Sequence, residues 1–89
     1  MALHIIKSAQ ASVIAEVEGL IQESDQVLLS EDGCYLYTLA CQKFTGLKAL
    51  NDHMQSRGLS EKAKAQGIEL ISIKQWALLT RIHTQILTW

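Results

Sequence analysis

Apolar residues recur along this chain in two rhythms, one suited to buried strands and the other to helices. Short apolar-rich runs at Ala2 to Lys7, Gln26 to Ser30, Phe44 to Leu50 and Ile68 to Ser72 predict four strands. After the first run, Val13, Ile14, Val17, Leu20 and Ile21 fall at i, i+1, i+4, i+7 and i+8, one stripe of a helix. Ser8 or Ser12 can cap that helix, and Ser24-Asp25 breaks it. Cys34 to Ala40 predicts a short second helix with Asp32 as its N-cap. Its apolar pattern is irregular, so a strand or an irregular turn also fits. Asp52 to Arg57 predicts a further short helix, which Gly58 can end in a left-handed conformation. Gly46 weakens the third strand. Ser60 to Gln66 is polar and helix-prone, closes at Gly67 and reads as a solvated surface turn. Trp76, Leu79, Ile82, His83 and Ile86 fall on one face of a final helix.

Strands alternating with helices predict βαβ units and a parallel sheet. Right-handed crossovers place helices on both faces. The expected architecture is α/β, a small three-layer α/β/α domain over residues 1–89 with a mainly parallel sheet of about four strands. No repeat, linker or low-complexity tract divides it.

One stretch stands out for chemistry. Val27-Leu28-Leu29 stops at Ser30-Glu31-Asp32-Gly33, and Cys34 follows at once. Ligands gather at the carboxyl ends of strands in open α/β sheets. The thiol of Cys34 therefore lies at the expected functional edge and is the candidate catalytic residue. In the first turn of a helix its thiolate gains from the helix dipole. Glu31 and Asp32 act against this, and a free cysteine commonly behaves as a small buried hydrophobe. Cys41 comes at a helix end or loop beside Lys43, with buried structural cysteine as its commoner role.

The remaining candidates have structural readings. His4 in a strand is expected as a hydrogen-bonded core or interface residue, and His53 and His83 as helix-surface groups. Their spacing with the cysteines matches no metal-ligand pattern, so no metal is expected. Glu31 and Asp32 read as one cap and one solvated charge rather than an acid–base pair. Trp76 reads as core or interface, and Trp89 as an interface anchor. Single glycines make no phosphate-binding loop, and no cofactor is implied.

Composition narrows the class. The chain has 89 residues, of which 48% are hydrophobic and 19% charged, and its net charge is −1. So small a domain buries a limited fraction of its surface. Apolar residues left over favour partner subunits, and association of the isolated chain with itself is a further route. Without a basic cluster, direct nucleic-acid binding is not expected. Cys34 and Cys41 are seven residues apart. On one helix they would lie roughly 10 Å apart along the axis, beyond the about 7 Å that a disulfide spans. Free thiols suit a reducing cytosol. Ala2 to Ile6 is too short for the core of a signal peptide or for a membrane span.

The landmarks taken together resemble the DsrH/TusB family of sulfur-relay proteins. They are Leu3-His4 with Lys7-Ser8, Val27-Leu28-Leu29 running into Glu31-Asp32-Gly33, and Ala49-Leu50-Asn51-Asp52 leading to Ser56-Arg57-Gly58-Leu59. The apolar strand Ile68 to Ile71, Trp76 and Trp89 complete the match over nearly the whole chain. The resemblance implies a DsrE-like fold. It also implies a cytoplasmic subunit of a TusBCD-type complex, a dimer of heterotrimers with TusC-like and TusD-like partners. Such a complex passes persulfide sulfur toward 2-thiolation of the tRNA wobble uridine; in the DsrH branch it serves sulfur oxidation. In TusBCD the sulfur-carrying cysteine belongs to the TusD subunit.

Some DsrH proteins have a cysteine in the first helix, whereas the region around Val17 has none, which favours the non-catalytic TusB-like branch. Ala9 stands where the family often has proline, and Cys34 where relatives have a small or apolar residue, so Cys34 inherits no family role. The expected function is thus a structural subunit of a sulfurtransferase complex. A persulfide carrier using Cys34 is the alternative.

Overall fold

A computed structural model describes the chain from Met1 to Trp89. β1 (Ala2–Ile6) is buried at every position, as a central parallel strand covered on both faces must be. β2 (Gln26–Leu29) and β5 (Gln85–Thr88) flank it, so that His4 lies opposite both Val27 and Leu87. β3 (Lys48–Leu50) and β4 (Glu69–Ile71) extend the sheet beyond β2. The order is β4-β3-β2-β1-β5, with every pairing parallel.

The helices are α1 (Ser12–Leu20), α2 (Tyr37–Lys43), α3 (Asn51–Ser56), α4 (Ser60–Ala65) and α5 (Ile73–Ile82). Alternate strand residues divide the core in two. Ile6, Val27, Leu29 and Ala49 pack with Val13, Ile14 and Val17 of α1, Ala40 of α2, Met54 of α3 and Ala63 of α4. On the opposite face, Leu3, Ile5, Leu28, Leu50 and Ile71 pack under Trp76 and Leu79 of α5. The chain steps from β1 to β4 in one direction, then doubles back to place β5 beyond β1. With crossovers of a single hand, this reversal puts α5 on the other face. The result is the three-layer α/β/α domain.

The sheet has five strands where four were expected, and the difference lies at the C-terminal end. The final helix stops at Ile82, and Ile86 lies in β5 rather than on a helical face. His83 is extended, with ψ of 136°, and its ring Nδ1 donates to the Leu79 carbonyl at 2.8 Å. The β-branched residues Thr84, Ile86 and Thr88 then favour a strand.

Three local expectations also change. Glu31–Leu36 is a 3₁₀ turn, and the second helix begins at Tyr37 rather than Cys34. The third strand is reduced to Lys48–Leu50, because Phe44 N–H closes α2 on Ala40 and Gly46 turns the chain at φ +65°. Ser60–Ala65 is a regular helix that buries Ala63, not merely a surface turn.

Candidate functional site

β2 ends in a tightly constrained turn. Ser30 N–H donates to the Ile6 carbonyl at 3.0 Å, one residue beyond the strand. Glu31 then adopts φ +49°, the left-handed region that costs a residue with a side chain. Gly33 N–H donates to the carbonyls of Lys7 and Ser30, both at 3.0 Å. A Cβ on Gly33 would overlap the Ile6 carbonyl oxygen, so only glycine fits. The turn is thereby pinned against the carboxyl end of β1.

Beside it lies a cavity of about 270 Å³, lined by Ile5, Lys7, Ser30, Glu31, Leu50, His53, Trp76 and Thr88. These residues come from the carboxyl ends of β1, β2, β3 and β5, with α3 and α5 adding one side each. β1 and β5 mark the switch point of the sheet, because the crossovers leave it there on opposite faces. A crevice at that point is the usual ligand position in an open α/β sheet.

His53 holds the turn in place. Its Nδ1 accepts the Glu31 backbone N–H at 2.8 Å. The Arg57 guanidinium donates to the His53 carbonyl at 3.1 Å and to Asp32 Oδ1 at 3.0 and 3.3 Å. Asp32 is therefore an ion-pair partner, not the expected N-cap; Ser30 occupies the cap position without a side-chain bond. Glu31 Oε2 lies 3.7 Å from Lys7 Nζ at the surface. The role of His53 depends on residues 22 positions apart meeting in space, which no local pattern announces.

Cys34 is buried on the other face of the sheet, among the residues packed against α1 and α2. Burial pushes its thiol up to about 11; nearby Arg57 lowers the value only in part, and Asp32 adds to the rise. Cys41 is partly buried on α2, with Sγ 3.3 Å from Gln66 Oε1. Both cysteines are free, and neither lines the cavity.

At the amino end of the sheet, Asp25 accepts hydrogen bonds from Ala2 N–H, Gln22 N–H and His4 Nε2 at 2.8, 3.0 and 3.0 Å. Burial would raise its pKa, but these bonds outweigh burial and hold it at about 2. Trp89 Nε1 donates to the other His4 nitrogen and its ring stacks on the imidazole. His4 is thus the hydrogen-bonded core residue expected. Trp89, expected as an interface anchor, is engaged within the chain. His83 is buried, not on the helix surface, and its Nε2 has no partner.

A five-stranded parallel sheet covered by helices on both faces, with a cavity at its switch point, defines a small three-layer α/β domain. The family model described as DsrH like protein matches residues 7–86. This chain belongs to that family, whose members are sulfur-relay subunits. No curated protein matches it. No helix is long and apolar enough to cross a membrane.

Proposed function

We propose that this chain is a subunit of a cytosolic sulfur-relay complex of the TusBCD type, serving 2-thiolation of the tRNA wobble uridine. It shapes the complex and positions a persulfide cysteine held by another subunit. Family membership supports the relay. The observation that carries the structural role is the burial of Cys34, whose thiol is fully enclosed and protonated at neutral pH. A sulfur carrier needs an accessible thiolate. Exposed Leu78, Ile82, Ile86 and Leu87, on α5 and the edge strand β5, supply apolar surface for association.

The test is co-expression with TusC-like and TusD-like subunits, then incubation with a cysteine desulfurase, cysteine and the upstream carrier. Intact mass spectrometry is read on each chain, for wild type, Cys34→Ser and Cys41→Ser. The expected result is co-purification, with sulfur added to the TusD-like chain alone. A sulfur atom on this chain that disappears in Cys34→Ser makes it a carrier instead. Failure to associate removes the assembly role.

A further inference from the structure

We infer that the cavity at the carboxyl ends of β1, β2, β3 and β5 is a binding site for a compact, singly charged anion with an apolar stem. Trp76 Nε1 on its wall is a buried donor with no protein partner, and His53 Nε2 and the Ser30 and Thr88 hydroxyls add further hydrogen-bonding groups. Ser30 is 5% exposed, yet its hydroxyl forms no hydrogen bond within the protein. His53 Nδ1 accepts from Glu31 N–H, so the neutral ring carries its proton on Nε2 and has that donor to offer. The Thr88 hydroxyl stands at the rim.

Charge sets the valence. Lys7 is the one cation on the wall and Glu31 the one carboxylate. Their 3.7 Å separation is longer than the roughly 2.8 Å of a tight charge-assisted bond. Lys7 is half exposed and can turn toward a ligand. Lys7 and Glu31 together leave the wall without net charge, so an anion is held only when Lys7 turns from Glu31 onto it, and one cation then suits one negative charge rather than two. Ile5, Leu50 and the Trp76 ring make the apolar part of the wall, and about 270 Å³ admits only a small group.

Two sources share this chemistry: a free small anion, and the deprotonated tip of a partner's side chain. The site itself stands without the relay reading. Only the second source rests on it, and there a thiolate or persulfide terminus is one member of the class.

The probe is methanethiosulfonate, a monoanion with a sulfur terminus and a methyl stem, titrated into the ¹⁵N-labelled full chain. Propionate is the carboxylate counterpart and sulfate the doubly charged control. Saturable shifts of the Ser30, Glu31 and His53 amides and the Trp76 indole signal are expected. Lys7→Gln and Ser30→Ala should each weaken binding by about tenfold, as loss of a hydrogen bond to a charged group does. Lys7→Gln alters an exposed side chain and keeps the test readable if Ser30→Ala disturbs the fold. Absence of saturation at these signals, or equal binding by the variants, overturns the site. Sulfate binding as well as the monoanions overturns the single-charge assignment. Repeating the titration on the assembled complex separates the sources: binding lost there marks a partner's side chain, and binding retained marks a free anion. If the partners do not assemble, the isolated-chain result still decides the site.

Discussion

Trp89 donates its indole N–H to Nδ1 of His4 at 3.3 Å, and this bond sets which ring nitrogen of a buried histidine accepts. An indole N–H can only donate, so His4 Nδ1 carries no proton and Nε2–H points to Asp25. Trp89→Phe preserves the stacked ring but strands Nδ1, and should cost about 1 kcal/mol. Trp89→Ala, which also removes packing against the core, should cost more. Urea midpoints with unchanged slopes provide the measurement.

Asp25 gives stability an acid limb. Its folded pKa of about 2 lies below the unfolded value. The folded state thus gains from ionised Asp25 above roughly pH 4, and that gain is lost as pH falls toward 2. Asp25→Asn should flatten the stability profile across this window. Asp25→Ala leaves Ala2 N–H, Gln22 N–H and His4 Nε2–H without acceptors and should cost on the order of 2 kcal/mol or more. Denaturant midpoints from pH 2 to 7 test both.

Cys34 should be inert in the folded protein. With its thiol raised to about 11 by burial, a disulfide reagent at pH 8 should titrate Cys41 promptly and Cys34 only on unfolding. Prompt reaction of both thiols would contradict the enclosed position. Cys34→Ala should be milder than Cys34→Ser, because serine buries a hydroxyl among apolar neighbours at about 1–3 kcal/mol.

The turn after β2 contains two positions of opposite sign. Gly33→Ala drives a methyl group into the Ile6 carbonyl and should destabilise by about 3 kcal/mol. Glu31→Gly relieves a left-handed backbone and gives up only a surface ion pair. It should stabilise by about 1 kcal/mol. Thermal unfolding of the two variants separates these effects.

How far the chain could be read in advance depended on how local each signal was. β1, β2 and α1 have their own periodicity, and the structure keeps them within a residue or a few of the expected ends. β5 was hidden because Ile82, His83 and Ile86 fit a helical spacing, while pairing of Gln85–Thr88 with β1 is a contact across the whole chain. The end of β2 was legible as the strand end that borders the cavity, but the burial of Cys34 was not. Cys34 sits just past the strand, and the 3₁₀ turn directs it into the core. His53 and Trp76 reach the cavity from elements far away in sequence, and the landmark at Trp76 carries no sign of a cavity. His83 looked like a surface group because helix periodicity says nothing about a ring that folds back on the last turn.

The pairing of β5 with β1 joins Ala2 to Gln85, a span of nearly the whole chain. Closing so long a loop is the slowest kind of contact to make. The expected order of folding leaves one hydrogen-bonding edge of β1 open while β2 to β4 assemble on its other side. The strand that fills this edge is joined to α5 only through His83 and Thr84. An edge strand joined by so short a hinge is one that two molecules can exchange. A swapped dimer would then be a by-product of refolding at high concentration, built from the same contacts as the monomer.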